Sequence, residues 1–268
     1  MGGGGGGARR FVRCQSSVRW APQKPPNFQA RLARSEHAAD VLDALQLAPP
    51  QWRALNIATA WHRLAKHAAG GRARDAAASS EAIRAVSAAH ERRGMDGFQT
   101  RQLSNVVWAW AKLRVYHRGL LHNLCDVMPA RLAEFSTRDT CNVVYALGLL
   151  QHHDEGLVHA LCANLLGRLG DCNSQGISNT LYGLALLKCP HADLLEAACE
   201  HMPDMLAQFT DQELAISIYA CGILRFGHDR FLGAACGHAL RRLASFRAQN
   251  ISNIIYALGR LKFRHDEL

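Results

Sequence analysis

The stretch that decides the fold is LSNVVWAWAKL, residues 103–113, because it returns four more times along the chain. The later copies read TCNVVYALGLL (140–150), ISNTLYGLALL (177–187), LAISIYACGIL (214–224) and ISNIIYALGRL (251–261). Their aromatic residues follow one another at intervals of 37 residues, at Trp108, Tyr145, Tyr182, Tyr219 and Tyr256. An unbroken period over five copies is the signature of a repeat architecture.

Other positions recur at the same interval. One column is Phe98, Phe135, Cys172, Phe209 and Phe246, and another is Cys125, Cys162, Cys199 and Cys236. Small residues recur at Ala111, Gly148, Ala185, Gly222 and Gly259. Because small side chains let helices approach closely, this column predicts tight helix–helix packing.

Each unit has room for two helices of about 12–15 residues joined by short turns. RGLLHNLCDVMPARLAEF (118–135) places apolar residues at helical spacing, and the polar stretches STRD (136–139), NSQG (173–176), TDQE (210–213) and RAQN (247–250) offer N-caps for the following helix. The predicted fold class is all-α, a right-handed α-solenoid of 37-residue two-helix repeats.

Three regions are predicted. Residues 1–40 form a transit peptide and disordered leader, residues 41–97 form a divergent N-terminal capping repeat, and residues 98–268 form the regular repeats, the last one truncated. ATAWHRLAKH (58–67) aligns with the later helices at an offset of 49 residues, which implies a 12-residue insertion, predicted within 68–80. An atypical terminal unit is expected of a capping repeat.

The leader is basic. Residues 1–35 hold seven Arg and Lys side chains and no carboxylate, and they contain no apolar segment typical of a secretory signal. This composition predicts import into an organelle, the mitochondrion or alternatively the chloroplast; a disordered leader with no address is the other interpretation. The charge of the whole chain is +9, but residues 98–268 hold 16 basic and 15 acidic residues, so net charge does not argue for nucleic-acid binding by the repeats.

The period, the NVVWAWAKL and NIIYALGRL helices and the ATAWHRLAKH entry resemble the heptatricopeptide and octotricopeptide repeat proteins of algal and protist organelles. That family is similar in its repeat organisation to FAST-kinase-like RAP proteins and to repeat subunits of kinetoplastid RNA-editing substrate-binding complexes. The resemblance covers about residues 50–268 and implies binding of single-stranded organellar RNA in processing, stability, translation or ribosome assembly. No RAP domain is visible, so no activity of that domain is expected.

Repeat proteins read RNA bases through polar, variable positions. A pair at the start of each second helix has this character, and its base-reading candidates are Arg101, Gln102, Arg138, Asp139, Gln175, Gln212, Glu213, Gln249 and Asn250. Helix capping is the alternative explanation for their polarity. The Asn105 column is predicted to form a structural ladder between helices, and the aromatic column is predicted to be core.

Two basic columns are candidates for contacts with the RNA backbone. The first holds Arg114, Lys188, Arg225 and Lys262, with Gln151 between, and the second holds Arg131, Arg168 and Arg242. Stripes of charge attract phosphates locally even where net charge is near zero. The alternative is complementarity to the helix dipole, which favours Lys and Arg at helix C-termini.

No catalytic residue, cofactor, metal ligand or small-molecule substrate is predicted, since the chain holds no C-x-x-C pair and none of the common nucleotide-binding or hydrolase motifs. QHHD (151–154) is a weak metal motif that loop polarity explains better. No run of 18 apolar residues occurs, so no membrane span is expected.

The partner expected besides RNA is a ribonucleoprotein subunit, and a protein-binding scaffold is the alternative function. The C-terminal His265-Asp266-Glu267-Leu268 spells an ER-retention signal, but it stands in register with HDRFL (228–232) and is interpreted as the start of a truncated unit.

Overall fold

The structure is a computed structural model that describes residue 2, residues 27–67 and residues 73–265. The described residues form α-helices and short 3-10 helices, with no β-strand among them. The first helices are α1 (Phe28–Arg34), α2 (Ala38–Leu45), α3 (Ala54–His67) and α4 (Ala73–Arg93). The next are α5 (Thr100–Leu113), α6 (Arg118–Val127), α7 (Thr137–Leu150), α8 (Glu155–Leu166), α9 (Ser174–Leu187), α10 (Ala192–His201), α11 (Asp211–Leu224), α12 (Asp229–Arg241) and α13 (Ala248–Leu261).

The helices alternate between two layers. The odd layer is the series α3, α5, α7, α9, α11 and α13, in which each helix packs against the next member. In the even layer, α8 packs against α10 and α10 against α12. From α5 onward, each odd-layer helix has 14 residues and begins 37 residues after the previous one. The all-α prediction is confirmed.

Small residues bring the odd-layer helices into backbone contact. A Cβ atom added to Gly148 would lie 2.7 Å from the Cα atom of Gly183, and one added to Gly222 would lie 2.6 Å from the Cα atom of Ala257. No side chain larger than hydrogen fits such an approach. The prediction of tight packing from the small-residue column therefore holds at these two contacts.

The segment 118–135, whose apolar spacing predicts the first helix of a unit, is divided into an α-helix and a 3-10 helix. α6 ends at Val127, and a 3-10 helix, Pro129–Glu134, follows. Pro129 supplies no backbone N–H, so the α-helical ladder cannot continue through it. Similar 3-10 segments are Leu169–Asp171, Met202–Gln208 and Leu243–Ser245. The predicted N-caps are confirmed where Ser136, Asn173 and Thr210 accept a backbone N–H at the start of the next helix. The cap predicted in RAQN is wrong: Arg247 stands at the N-cap position and makes no side-chain capping bond, because a guanidinium group has no acceptor.

The folded part begins earlier than predicted. Phe28, Leu32 and Ala38 are buried, and α1 packs against α3 while α2 packs against α4. The boundary predicted at residue 40 therefore lies inside the folded part. Most of the predicted leader (3–26), part of the predicted insertion (68–72) and the residues after His265 lie outside the described residues. None of the helices in the described ranges is long and apolar enough to cross a membrane.

Candidate nucleic-acid interface

One side of the odd layer carries an exposed strip of polar and aromatic residues. In α5 these are Arg101, Asn105, Trp108 and Lys112, whose spacing places them on one side of the helix. The equivalent residues of the later helices complete the strip: Arg138, Asn142, Tyr145 and Leu149; Gln175, Asn179, Tyr182 and Leu186; Gln212, Ile216, Tyr219 and Ile223; Gln249, Asn253, Tyr256 and Arg260. We call these twenty residues the odd-layer strip. It holds no carboxylate.

The four tyrosine side chains of the strip form a continuous row. The ring centroids of Tyr145 and Tyr182 lie 6.3 Å apart, those of Tyr182 and Tyr219 6.4 Å apart, and those of Tyr219 and Tyr256 5.8 Å apart. The Lys112 ammonium lies 5.7 Å from the Tyr145 ring centroid, within cation–π range. The rings are half-buried or exposed, so the prediction that this column is core is wrong. The aromatic residues lie on the same side of the helix as Arg101 and its equivalents. This spacing could have indicated from the sequence that the rings are not in the core.

A groove of about 190 Å³ runs across the first three of these helices. Its lining includes strip residues of α5, α7 and α9, namely Asn105, Trp108, Arg138, Asn142, Gln175 and Asn179. Side chains of this kind offer hydrogen-bond donors, acceptors and an aromatic ring, but no fixed negative charge. The groove is therefore suited to a polar ligand with planar groups.

The asparagine column does not form the predicted ladder. Asn105, Asn142 and Asn179 are half-buried, and their amide groups make no hydrogen bond within the described residues. Hydroxyl groups make the links between units instead. Thr137 donates to the carbonyl oxygen of Asp171 at 3.3 Å, and Ser174 donates to that of Gln208 at 3.1 Å. The amides thus remain available to a ligand.

The two members of each predicted base-reading pair have different surroundings. The first members, Arg101, Arg138, Gln175, Gln212 and Gln249, are exposed. The second members are used by the helix start: the N–H of Gln99 donates to Gln102 Oε1, Ser136 Oγ donates to Asp139 Oδ2, and the N–H of Thr210 donates to Glu213 Oε2. Asn250 is buried. The capping explanation therefore accounts for Gln102, Asp139 and Glu213, and burial removes Asn250 from the surface, so only the first members belong to the strip.

The first basic column has an unusual backbone conformation. Arg114, Gln151, Lys188, Arg225 and Lys262 have φ between 52° and 55° and are the described non-glycine residues with positive φ. Each directly follows an odd-layer helix, and the same two backbone hydrogen bonds recur at each of these helix ends. The N–H of Lys188 donates to the carbonyl oxygen of Ala185, and the N–H of Cys189 to that of Leu184. This is a Schellman termination, a position that glycine usually occupies.

A non-glycine residue in this left-handed conformation costs about 1–2 kcal/mol. The side chains of Arg114, Lys188, Arg225 and Lys262 are exposed and make no hydrogen bond to the described residues, so no side-chain hydrogen bond offsets that cost. Strained backbone that persists without internal compensation points to a functional constraint on the side chain. We call these four residues and Gln151 the terminal row.

The second basic column has internal partners. Arg131 Nη1 donates to the carbonyl oxygen of Phe98 at 2.8 Å, Arg168 Nη1 to that of Phe135 at 2.9 Å, and Arg242 Nη1 to that of Phe209 at 3.0 Å. Arg242 also pairs with Asp211 at 2.6 Å. These guanidinium groups tie one unit to the preceding one, and they are not part of the odd-layer strip.

The first-turn residues of the strip and the terminal row lie at opposite ends of the odd-layer helices. At about 1.5 Å per residue, Arg101 and Arg114 are separated by about 20 Å, with Trp108 close to the midpoint. A ligand bound over the aromatic row therefore has the first-turn Arg and Gln side chains towards one end and the terminal row towards the other.

The eight cysteines of the described part are free, and seven of them are buried, including the column of Cys125, Cys162, Cys199 and Cys236. Burial raises the pKa of the Cys236 thiol to about 11 and that of Cys162 to about 12, so these groups are neutral and pack as small apolar side chains. Glu196, Glu200 and His228 also lie close together, but Arg230 pairs with Glu200, so this cluster is an exposed ion-pair network.

No protein family model matches the chain, and none of the curated proteins is similar to it in sequence.

Proposed function

We propose that this chain is an organellar RNA-binding protein whose odd-layer strip holds single-stranded RNA. The proposal includes the finer architecture expected from the sequence, a right-handed α-solenoid of 37-residue two-helix units, since a regular array of helices presents its strip residues at equal intervals. The observation that carries it is the carboxylate-free strip with its continuous row of aromatic rings.

The chemistry of the strip fits unpaired bases. Aromatic side chains stack on the exposed bases of single strands, and each such contact contributes about 1–3 kcal/mol. The amides of Asn105, Asn142 and Asn179 can donate to and accept from base edges, as can Gln175 and Gln212. Arg101 and Arg138 can contact either bases or phosphates.

The terminal row supplies the backbone contacts in this proposal. A base stacked near the middle of an odd-layer helix lies about 10 Å from each end of that helix. Its edge is then directed towards the first-turn residues and its phosphate towards Arg114, Lys188 and Arg225. Such an arrangement uses both exposed sets of predicted residues and leaves out the column of Arg131, Arg168 and Arg242.

A protein-binding scaffold within a ribonucleoprotein is the second candidate function. The apolar strip residues Leu149, Leu186, Ile216 and Ile223 favour it, because they offer contact area to a partner side chain. The near balance of 16 basic and 15 acidic residues in 98–268 favours it as well.

Fluorescence anisotropy with a labelled single-stranded RNA of mixed sequence tests the proposal. Changing both Tyr145 and Tyr182 to Leu is expected to weaken binding at least tenfold at low salt, since two stacking contacts are lost. The matched control changes the same two residues to Phe, which keeps the rings. Absence of binding by the wild type at low salt, or equal affinity of the Leu and Phe variants, would leave the scaffold function as the better explanation.

Organellar import has a separate test. Residues 1–40 fused to a fluorescent protein are expected to direct it to mitochondria, or to plastids where the cell has them, while a fusion with the six Arg residues of 9–34 changed to Gln is expected to stay in the cytosol. Cytosolic fluorescence of the unchanged fusion would contradict the predicted address.

A further inference from the structure

Three side chains that can bind metal ions lie close together at the turn between α7 and α8. His152 and Asp154 lie in the turn that follows Leu150, and Cys125 reaches the same place from α6. One donor atom from each residue lies within 4.8 Å of the other two. The sequence could not show this cluster, because 27 residues separate Cys125 from His152.

The distance between the sulfur and nitrogen donors fits a tetrahedral metal site. Cys125 Sγ lies 3.5 Å from His152 Nε2. Zn²⁺ binds thiolate at about 2.3 Å and imidazole at about 2.0–2.1 Å, and two such ligands at a tetrahedral angle stand about 3.5 Å apart. The same distance also suits a weak hydrogen bond from thiol to imidazole, so metal binding has to be distinguished from this hydrogen bond by experiment.

The imidazole of His152 is held by a second contact. Its Nδ1 atom lies 3.0 Å from the hydroxyl oxygen of Tyr116. When Nδ1 carries the proton and donates it to Tyr116, the lone pair of Nε2 is directed at Cys125. Metal-bound histidines almost always have such an outer partner, because it fixes both the tautomer and the orientation of the ring.

Asp154 provides the third donor from a fixed position. Its Oδ1 atom accepts the N–H of Leu157 at 2.9 Å, which caps α8 and orients the carboxylate. A cysteine, a histidine and a carboxylate are all ligands that zinc accepts, and three protein ligands leave one coordination position for solvent.

We propose that Cys125, His152 and Asp154 form a binding site for a zinc-type divalent cation that ties α6 to the turn between α7 and α8. Burial, followed by the nearby Asp154 and Asp126 carboxylates, raises the pKa of the Cys125 thiol to about 12. The thiol is therefore protonated near neutral pH, and binding of the cation replaces its proton: the S–H bond breaks, a metal–sulfur bond forms, and one proton is released to solvent.

The other units lack this combination of residues. In the next unit the positions of Cys125, His152 and Asp154 are occupied by Cys162, Cys189 and His191, whose donor atoms do not all come within 4.8 Å of one another among the described residues. In the two units after that they are occupied by Cys199, Phe226 and His228 and by Cys236, Phe263 and His265. Phenylalanine cannot bind a cation of this kind. Cys236 is buried in α12 as Cys125 is in α6, so it gives a matched control.

Titration of the reduced, metal-free chain with Co²⁺ tests the site, because cobalt bound to thiolate gives a charge-transfer absorption in the near ultraviolet. The wild type and Cys236→Ser are expected to show this absorption, saturating at one equivalent and removed by Zn²⁺. Cys125→Ser is expected to lose it, and Tyr116→Phe is expected to weaken Co²⁺ binding by about tenfold.

Absence of the absorption in the wild type, or its retention in Cys125→Ser, would overturn the proposal and leave a thiol–imidazole hydrogen bond. Circular dichroism shows whether each variant is folded. His152→Gln, which changes a residue in a turn, is expected to lose high-affinity binding as well, and it decides the matter if Cys125→Ser does not fold.

Discussion

Arg168 Nη1 donates to the carbonyl oxygen of Phe135 at 2.9 Å, across 33 residues of sequence. Arg131 and Arg242 make the same contact to Phe98 and Phe209. A carbonyl group just before an odd-layer helix thus has a charged donor from the following unit. This column of arginines and the terminal row are similar in sequence, and the structure gives them different surroundings.

Arg168→Leu is expected to lower the free energy of unfolding by about 1–3 kcal/mol, because the Phe135 carbonyl oxygen loses its donor. RNA affinity measured at a temperature where the variant is folded is expected to stay within twofold of the wild type. Arg114→Ala is the comparison: its effect is expected on RNA affinity and on the salt dependence of binding, not on urea denaturation. The opposite pattern in the two variants would show that the roles are reversed.

The glycine column allows a second prediction with an internal control. A Cβ atom on Gly222 would lie 2.6 Å from both Cα and Cβ of Ala257, so Gly222→Ala is expected to push α11 and α13 apart and to cost about 1–3 kcal/mol. Gly259 stands at the equivalent position of α13, where a Cβ would meet no described atom within 4 Å. Gly259→Ala is expected to stabilise the chain by roughly 0.5–1 kcal/mol through helix propensity. Thermal denaturation of both variants measures the difference, and equal midpoints would count against the close contact.

Replacing residues of the terminal row by glycine is expected to change stability and RNA binding in opposite directions. Lys188→Gly and Arg225→Gly relieve left-handed strain at φ 52° and 55°. Each is expected to raise the free energy of unfolding by roughly 0.5–1 kcal/mol, after the greater freedom of glycine in the unfolded chain is taken into account. If the row contacts phosphates, both changes also weaken RNA binding and make its salt dependence less steep. Lower stability of both variants would refute the strain argument, and unchanged RNA binding would remove the row from the interface.

The burial of His90 is expected to make the protein less stable in acid. Its side chain is fully buried, and Trp61 Nε1 donates to its Nδ1 at 3.2 Å. Burial, with a smaller effect of His117, lowers the pKa of His90 from 6.5 to about 3. Between those values the unfolded chain binds a proton that the folded chain does not, so the free energy of unfolding falls by about 1.4 kcal/mol per pH unit as pH decreases from 6.5 towards 3.

Urea denaturation of the wild type and of His90→Gln over that pH range isolates this group from the carboxylates, since glutamine keeps an acceptor for Trp61 and does not titrate. The variant is expected to show a shallower decrease. Parallel decreases for the two proteins would mean that His90 is not the source of the acid sensitivity.

Much of the fold could be predicted from the sequence because the period of 37 residues marks the same point of every unit. The helical class, the N-caps at Ser136, Asn173 and Thr210 and the close approach at Gly222 all follow from local rules. The 3-10 segments were missed because RGLLHNLCDVMPARLAEF keeps a helical pattern of apolar residues through Pro129. The start of the folded part was missed because α1 has only seven residues, and its burial depends on contacts with α3.

The candidate interface was only half predictable. Polarity alone could not separate Arg101, which is exposed, from Gln102, which accepts the N–H of Gln99. Period alone could not separate Arg168, which donates to a distant carbonyl group, from Lys188, which has no such partner among the described residues. Both distinctions depend on three-dimensional contacts. The aromatic row was predictable in principle from its helical spacing to Arg101.

The left-handed termini after the five helices α5 to α13 of the odd layer have one more consequence. One residue inserted inside such a helix would rotate everything beyond it by about 100° and turn the strip of that helix inward, and the backbone would no longer stop at its usual residue. Insertion or deletion of a complete helix pair changes neither the direction in which the strip faces nor the residue at which each helix ends. From α5 to α13, duplication or deletion therefore leaves the strip intact when it occurs in whole steps of the 37-residue spacing. If the strip holds RNA as proposed, the length of RNA that it covers grows in the same discrete increments.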